Sequence, residues 1–233
     1  MRMTDLGQLA YRPAWDLQEQ AHARVLAGGE EELLLVEHTP VITLGRRGSL
    51  EGSDMARNLL ASPEALARVG VEVVQSDRGG DITFHGPGQI VAYPIVRLND
   101  HRLSVGAYVR RLEQAVIDTL GDLQISARRE DGAVGIWVDD VVTGQAAKIC
   151  AVGVRIKRGI SLHGIALNVT TDLNYFNLIV PCGLVGRPVT SVQRMLETAD
   201  AGELFAHVRG ALARRLTQVF VRQPVSAVKA DVC

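Results

Sequence analysis

Strand-forming segments outnumber helical segments in this sequence, and the two kinds do not alternate regularly. Short apolar runs rich in β-branched residues and bounded by turn residues predict strands, whereas apolar residues at three- and four-residue spacing predict amphipathic helices. Regular alternation would indicate a doubly wound parallel sheet, so its absence predicts an α/β or α+β fold with a mixed sheet flanked by helices. The predicted strands cover residues 33–36, 41–44, 71–75, 81–84, 89–98, 125–129, 136–138, 147–156 and 161–169.

Four segments have the pattern of amphipathic helices. The first should begin near Pro13, a residue that suits the first helical turn, and end at Gly28. Ser62 and Ser104 can each cap the N-terminus of a following helix, and apolar residues from 204 to 219 mark a last helix. No internal repeat or charge block divides the chain, so we expect one domain rather than two.

The charge composition argues against two classes of partner. The 233 residues include 25 Lys and Arg against 26 Asp and Glu, which gives a formal net charge of -1. Such a balanced chain has no long-range field to collect nucleic acid or an anionic membrane, so we expect neither as a partner. Only three of the basic residues are lysines, namely Lys148, Lys157 and Lys229, so each lysine needs an explanation.

The chain has three cysteines, Cys150, Cys182 and Cys233. Their odd number and their spacing match neither a disulfide framework nor a C-x-x-C motif, which favours a reducing compartment. The sequence has no secretory signal pattern and no apolar stretch long enough to span a bilayer, so we expect a cytoplasmic protein. It also has no metal-binding motif, and we expect neither a metal nor another cofactor.

Residues 78–89 contain four glycines in the run RGGDITFHGPGQ. Glycines let the backbone approach a ligand closely and expose N–H groups that bind acceptors. The run lacks the third glycine of a dinucleotide fingerprint and leads into a strand, and no phosphate-binding loop occurs elsewhere, so a nucleotide site is not indicated. The alternative is a turn-rich hairpin with Arg78 as a capping residue and no ligand.

Lys148 lies in the otherwise apolar predicted strand 147–156. Strand alternation would place Lys148 and Cys150 on one face, and Ala151 and Gly153 on the other. Burial would disfavour the ammonium form of the lysine unless an anion held its charge, as in many catalytic sites. In an edge strand the same side chain would point into water and prevent sheet pairing. This segment alone leaves both interpretations open.

Cys182 lies between a proline and a glycine, in a predicted exposed turn. An ordinary thiol is only a few per cent thiolate at neutral pH, so a nucleophilic cysteine needs a base or a cation beside it. Lys148, His85 and His163 are the candidates for that role. The alternative is an inert, packed cysteine. His163 begins the small-residue segment HGIALN, against which a slim apolar ligand could lie.

Together and in this order, these segments resemble the lipoyl(octanoyl) transferases. One such segment is weak evidence, but five in register are highly specific. The resemblance extends from the first helix to about the last one, which implies an acyltransferase catalytic domain over residues 1–222 and a flexible tail over 223–233. The matching pieces are Arg78-Gly79-Gly80, Thr83, His85 to Gln89, Lys148 with Ala151, Gly153 and Val154, His163-Gly164, Ala166-Leu167-Asn168, Pro181-Cys182-Gly183 and Val189-Thr190-Ser191.

The resemblance implies the fold of the lipoate and biotin protein ligase catalytic domains and an activity without a cofactor. The donor would be octanoyl-acyl-carrier protein. The acceptors would be lysines of lipoyl domains, as in the glycine cleavage H protein and the E2 subunits of 2-oxoacid dehydrogenases. Octanoyl would pass through a thioester on a cysteine, in the first step of endogenous protein lipoylation.

The resemblance also implies the site residues. The acyl-thioester cysteine falls on Cys182 and its paired lysine on Lys148, while His163, Asn168 and Thr190 take supporting roles. Cys150 departs from the expected pattern, because a small apolar residue would be expected at its position. The implied acyl-binding strips consist of Arg78, Gly79, Gly80, Asp81, Ile82, Thr83, Phe84, His85, Ala151, Val152, Gly153, Gly164, Ile165 and Ala166.

Three alternatives remain open from the sequence. An ATP-dependent lipoate or biotin ligase would share the fold, and residues 45–48 faintly resemble its glycine-arginine loop with a different spacing. A cysteine-dependent octanoyl amidotransferase would share the chemistry but take octanoyl from another lipoyl domain. From a different class, a non-catalytic acyl-binding or thiol-redox protein would pair Cys150 with Cys182.

Overall fold

The computed structural model describes residues 1–47, 58–180, 187–197 and 200–221. The described strands are β1 Arg2–Leu9, β2 Glu32–His38, β3 Val41–Leu44, β4 Glu72–Gln75, β5 Ile82–His85, β6 Gln89–Ile95, β7 Arg128–Glu130, β8 Ala133–Asp139, β9 Ala146–Lys157 and β10 Ile160–Asn168. The described α-helices are α1 Tyr11–Leu26, α2 Pro63–Arg68, α3 Val105–Asp122, α4 Val192–Leu196 and α5 Ala201–Val219. Short 3-10 helices cover Leu98–His101 and Leu173–Leu178.

The strands form two sheets. The larger sheet has seven strands in the order β1-β2-β6-β10-β9-β8-β7, of which only β1 and β2 pair in parallel. The smaller sheet has the order β4-β3-β5, with β4 parallel and β5 antiparallel to β3. The expected fold class, a mixed sheet flanked by helices, is confirmed, and the second sheet adds a layer that the sequence did not predict.

The two faces of the larger sheet are covered differently. One face, called the helical face here, packs on α3 and α5, and Leu112 and Leu212 share its apolar cluster with Leu167. The other face, called the cleft face, packs on α1 and lies beneath the loop between β4 and β5. Because both faces are covered, every residue of β10 is buried. No helix in the described part of the chain has the length and apolar character of a membrane span.

Strand β1 is the main element that the sequence pattern missed. Its exposed and half-buried residues, RMTDLGQL, do not show the apolar run on which strand prediction depends. The strand forms because its main chain pairs with β2, as between Arg2 and Glu32. Strand β7 begins at Arg128, three residues later than predicted, because Gln124 at φ 60 still belongs to the turn after α3.

Gly164 packs β10 against β6 because it has no side chain. A Cβ at this position would overlap the main-chain oxygen of Ala92 and come within 3.0 Å of Cδ of Pro94. The overlapping atom belongs to the ladder between β6 and β10, so it cannot move without weakening the sheet. The small residue at Gly164 therefore serves strand packing, whatever else it does in a ligand site.

We expect Gly164→Ala to lower the free energy of unfolding by about 2–3 kcal/mol, because the added methyl group overpacks a backbone contact. Gly121→Ala is the matched control, since nothing lies within 4 Å of its added Cβ. Replacing a helical glycine by alanine where the added methyl group meets no other atom should stabilise the protein by about 0.5–1 kcal/mol. Urea unfolding followed by circular dichroism measures both changes, and equal changes in the two variants would contradict the packing argument.

Candidate active site

A narrow cleft lies between the cleft face of the larger sheet and the residues that lead into β5. Its walls come from four segments that are distant in sequence: α1, residues 78–85, β6 and the pair β9 and β10. A smaller pocket adjoins it and shares Thr83, Ala151 and Ala166 with it. The cleft is lined by Tyr11, Arg78, Gly80, Asp81, Ile82, Thr83, His85, Val91, Tyr93, Ala151, Val152, Gly153, His163, Gly164, Ile165 and Ala166, and the smaller pocket also by Gln89, Lys148, Asn168, Phe176 and Val189.

Most residues of the implied acyl-binding strips line this cleft, but two do not. Phe84 points to the other side of β5 and stacks on Tyr175, with ring centroids 4.6 Å apart. Gly79 donates its N–H to the main-chain oxygen of Val154 at 3.0 Å and brings the loop against β9. Sequence reasoning missed Tyr11, whose helix showed only a packing pattern, together with Val91 and Tyr93 in the apolar strand β6.

An irregularity in β9 decides which side chains face the cleft. Cys150 pairs with Ile136, whereas Lys148 pairs with the next residue of β8, Trp137, so Ile149 is an extra residue in β9. A bulge of this kind reverses the alternation of side chains beyond it. The prediction that Lys148 and Cys150 share a face is therefore wrong, because the bulge puts Lys148 on the cleft face and Cys150 on the helical face.

Lys148 is buried in an internal strand, with 6% of its surface exposed. The edge-strand interpretation of this lysine is therefore wrong. Its main-chain N–H donates to Pro188 at 2.9 Å, and its carbonyl accepts the N–H of Thr190 at 3.0 Å. The segment that follows residue 186 is thus held against Lys148 by two hydrogen bonds.

Cys182 lies outside the described residues, as does the rest of the segment 181–186. The described chain on both sides of that segment lies at the smaller pocket. Phe176 and Val189 line it beside Lys148, and Ile179 pairs with Leu59. The chain therefore re-enters the described structure next to the lysine, whereas Val180, the last described residue before that segment, donates its N–H to the carbonyl of Asn58.

A chain of hydrogen bonds connects the loop at Arg78 to the segment beside Lys148. The Arg78 guanidinium donates to the side-chain oxygen of Thr43 through Nε at 3.1 Å and Nη2 at 2.9 Å. The Thr43 hydroxyl lies 3.2 Å from Nε2 of His85, and Nδ1 of His85 lies 2.8 Å from Oε1 of Gln89. Nε2 of Gln89 donates to Oδ1 of Asn168 at 2.8 Å. Four strands, β3, β5, β6 and β10, and a loop are joined in this way.

The directions of these bonds fix the protonation of His85. Gln89 also donates to the carbonyl of Phe84 at 3.2 Å, so its amide nitrogen is identified and its oxygen must accept from His85. Burial, together with the neighbouring His38 and Arg78 charges, holds the pKa of His85 well below its usual value. His85 is therefore neutral, carries its proton on Nδ1 and accepts the Thr43 hydroxyl proton at Nε2.

Asn168 completes the connection to the lysine. Its amide nitrogen donates to the carbonyl of Thr190 at 3.1 Å, and Thr190 in turn donates its N–H to the carbonyl of Lys148. Two of the three residues to which the resemblance gave supporting roles, Asn168 and Thr190, thus contact each other and hold the backbone next to Lys148. Gln89, which matched the family motif without a role, is the link that sequence reasoning missed.

His163 lies at the opposite end of the cleft from Lys148. Its Nε2 lies 2.6 Å from Oδ1 of Asp77, which also pairs with Arg155. Burial and the Arg78 and Arg155 charges lower the pKa of His163 to about 3, so the ring is neutral and donates to Asp77. The distance along β9 and β10 separates this histidine from Lys148, so the two do not form a catalytic pair.

Asp140 anchors the Lys148 segment from the other side. Its carboxylate accepts the hydroxyl of Thr190 at 2.9 Å, Nε of Arg194 at 2.8 Å and the N–H of Thr143 at 3.0 Å. Burial alone would raise the pKa of Asp140, but these hydrogen bonds outweigh it and hold the pKa at about 2. The charged carboxylate therefore joins the turn between β8 and β9 to Thr190.

Cys150 is close to Lys148 in sequence but lies on the helical face. It is fully buried among the side chains of α3 and α5. Burial raises the pKa of its thiol to about 12, and the Lys148 charge opposes this only in part. A thiol with this pKa in an apolar setting is not reactive at neutral pH.

In the described part of the chain, no three His, Cys, Asp or Glu side chains are arranged to hold a metal ion. The polar groups of the cleft are instead bonded to one another, and its floor consists of small and apolar residues of β9 and β10. Such a lining suits a slim apolar ligand with one reactive end near Lys148.

The catalytic domain family of lipoyl protein ligases A and B matches residues 10–213 of the chain. The chain belongs to this family. The relationship expected from the sequence motifs is therefore confirmed, and it covers the cleft, Lys148 and the segment that contains Cys182.

Relatives of this lipoyl ligase A/B family member include octanoyltransferases. The octanoyltransferase of Chloroflexus aurantiacus is 46% identical over 221 residues, which are 94% of this chain and 93% of that protein. The octanoyltransferase of Solibacter usitatus is 48% identical over 203 residues, which are 87% of this chain and 86% of that protein.

Solved structures of other family members share the fold. A bipartite lipoate protein ligase from Thermoplasma acidophilum has a TM-score of 0.70 and 17% identity, and covers 94% of this chain and 82% of its own. A lipoate-protein ligase A bound with ATP has a TM-score of 0.69 and 19% identity, and the match covers 94% of this chain and 84% of that ligase. At these identities the likeness concerns the fold alone.

We expect the Cys150 thiol of this family member to resist alkylation in the native state, because it is buried and its pKa is about 12. Iodoacetamide at pH 8, followed by peptide mass mapping, should leave Cys150 unmodified until urea unfolds the chain. Alkylation of Cys150 at the rate of a free thiol in the native protein would contradict its burial on the helical face.

We expect Asp140→Asn to destabilise the protein by about 1–2 kcal/mol at pH 7, a range that allows for the partial exposure of Arg194. The low pKa of Asp140 stabilises the fold above the ordinary carboxyl pKa, and this contribution is lost as pH falls towards about 2. Urea unfolding of both proteins between pH 7 and pH 2 should show the difference shrinking below about pH 4. A difference that stays constant with pH would contradict the assignment.

Proposed function

We propose that this protein is an octanoyltransferase that uses Cys182 as nucleophile and Lys148 as its partner. The observation that carries the proposal is the position of Lys148, a buried lysine at one end of a small-residue cleft. The identity with octanoyltransferases over nearly the whole chain supports the same conclusion.

The lining of the cleft supports an eight-carbon acyl chain as ligand. From Lys148 to Gly153 the strand advances by about 13 Å at roughly 3.3 Å per residue, because one of the intervening residues belongs to the bulge, and this still exceeds the length of an extended octanoyl group. Ala151 and Ala166 lie side by side along this path and present only methyl groups to the cleft. The acyl chain would lie along β9 and β10 with its carbonyl near Lys148.

In the first step the Cys182 thiolate attacks the thioester carbonyl of octanoyl-acyl-carrier protein. The bond from the carbonyl carbon to Cys182 Sγ forms, and the bond to the carrier thiol breaks, so one thioester replaces another and the step is nearly thermoneutral. The Lys148 ammonium, a cation, would stabilise the attacking thiolate. The departing thiolate takes the proton of the Lys148 ammonium and leaves as the carrier thiol.

In the second step the amine of an acceptor lysine attacks the Cys182 thioester. A C–N bond forms, Cys182 is released, and the amine proton must be removed. Because Lys148 gave its proton to the departing carrier thiolate in the first step, its neutral amine can act as the base. Conversion of a thioester to an amide is downhill, so the reaction needs no ATP.

The proposed donor is octanoyl-acyl-carrier protein, and the proposed acceptors are lipoyl domains, including the glycine cleavage H protein and 2-oxoacid dehydrogenase E2 subunits. Neither a nucleic acid nor a membrane is part of the proposed reaction. We propose that residues 1–222 form the catalytic domain; the tail expected over residues 223–233 lies outside the described residues, as does residue 222.

Two of the alternatives, a thiol-redox protein and an ATP-dependent ligase, are less well supported. A thiol-redox protein would need Cys150 and Cys182 to pair, but Cys150 faces the helical core away from the Lys148 pocket. An ATP-dependent ligase shares the fold, but the two lipoate ligase structures described above are 17% and 19% identical to this chain, whereas the octanoyltransferases are 46–48% identical. An octanoyl amidotransferase would share the thioester on Cys182 and differ in its donor.

We expect incubation with octanoyl-acyl-carrier protein to add the mass of one octanoyl group to Cys182, because the thioester is an intermediate. Lys148→Met should slow this acylation by about 100-fold or more, since it removes the cation and base while keeping the side-chain length. Intact-mass spectrometry with rapid quenching measures the rate.

Lys157→Met is the matched control. Lys157 lies on the same strand, but its side chain is 38% exposed and pairs with Glu19 at 2.7 Å. It should acylate at the wild-type rate. An octanoyl adduct that forms on Cys182→Ser protein at the normal rate would overturn the assignment of the nucleophile. Loading of free octanoate that depends on ATP would instead support a ligase.

A further inference from the structure

Trp137 on β8 lies directly opposite Lys148 on the neighbouring strand β9. The two residues are paired in the strand register, and Nζ of Lys148 lies over the indole ring, 4.9 Å from its centroid. The ring is 1% exposed, and its Nε1–H donates to the carbonyl of Ala133 at 2.9 Å. The indole is therefore held in one orientation, with a face towards the lysine.

Gly135 keeps the path of the lysine side chain open. A Cβ at Gly135 would lie 3.3 Å from Cε of Lys148, 3.5 Å from Cδ and 2.6 Å from the carbonyl of Cys150. The φ of Gly135, 123, also lies in the region that favours glycine. The stem of Lys148 thus occupies the space that a side chain on β8 would fill.

We propose that Trp137 is a positioning residue that holds the Lys148 ammonium at the end of the acyl cleft. This inference rests on the proposed function, in which Lys148 stabilises the Cys182 thiolate and then acts as the base. The register, the 4.9 Å contact and the space above Gly135 together define one place for the lysine head group.

An aromatic ring suits this task better than a carboxylate would. The negative face of the indole attracts a cation, and a desolvated pair of this kind changes an equilibrium by roughly tenfold or more. A carboxylate would bring a full negative charge that competes with the thiolate for the ammonium and holds its proton tightly. The ring orients the lysine, favours its charged form and still lets the proton leave.

The other charged or titratable groups around this pair come from three elements. Arg187 lies over the same ring, 5.0 Å from its centroid, and pairs with Glu130 at 2.6 Å. Cys150 follows Lys148 on β9 but faces the helices, and its raised pKa of about 12 keeps its thiol neutral. In the proposed function, the ammonium of Lys148 stabilises the thiolate of Cys182.

The low lysine content allows a direct test by NMR. The chain has three lysines, so protein labelled with ¹³Cε-lysine gives three Cε signals, and Lys148→Arg identifies the one from Lys148. A lysine over an indole face has Hε signals shifted upfield by the ring current. We expect this shift in wild type, its loss in Trp137→Leu, and its retention in Trp137→Phe.

The second readout is the rate of the proposed reaction. Acylation of Cys182 at neutral pH should slow by about tenfold in Trp137→Leu, because the ammonium loses its contact with the indole face. Trp137→Phe should restore most of the rate.

Ile136→Ala is the matched control for packing, because Ile136 is the neighbouring residue of β8 and belongs to the helical-face cluster. It should lower thermal stability without moving the Lys148 Hε signal or slowing acylation. Wild-type values in Trp137→Leu, or the same changes in Ile136→Ala, would overturn the proposal for Trp137. If wild type forms no Cys182 adduct while the ring-current shift is present, the proposed function fails and the indole contact stands.

Discussion

The extra residue Ile149 in β9 determines which side chains meet in the cleft. A strand changes the face of a side chain at every residue, so one inserted residue reverses all that follow. In this protein the insertion puts Lys148 on the same face as Ala151 and turns Cys150 towards the helices. Without it, the lysine and the small residues that form the cleft floor would lie on opposite faces of the sheet.

The polar groups of the cleft are arranged so that none of the bonds in the chain from Arg78 to Asn168 requires a charged histidine. The Arg78 guanidinium donates to the side-chain oxygen of Thr43, and the Thr43 hydroxyl donates in turn to the neutral His85. Burial lowers the pKa of His85, which keeps this direction of hydrogen bonding stable over ordinary pH. A buried network of this kind makes the wall of the cleft rigid when all its members are bonded.

The sequence predicted the internal strands and the long helices well, because burial on one or both faces leaves a local pattern of apolar residues. It also predicted most of the cleft lining, through the resemblance carried by the glycine-rich run and the segment at His163. It could not predict the bulge, because Ile149 and Cys150 are both apolar and either could face the core. It also missed Trp137, whose role depends on pairing with Lys148 across two strands and has no signal in its own neighbourhood.

The same bulge bears on the choice between two thiols that are 32 residues apart in sequence. Lys148 is near Cys150 through the chain, and a cation lowers the pKa of a nearby thiol, so proximity alone would favour Cys150 as nucleophile. Burial among the helices opposes this and raises its pKa to about 12, because no water or substrate carbonyl reaches that face. In the proposed function, Lys148 can therefore stabilise the Cys182 thiolate without activating Cys150. The environment of each sulfur, rather than its distance along the chain from the lysine, sets its reactivity.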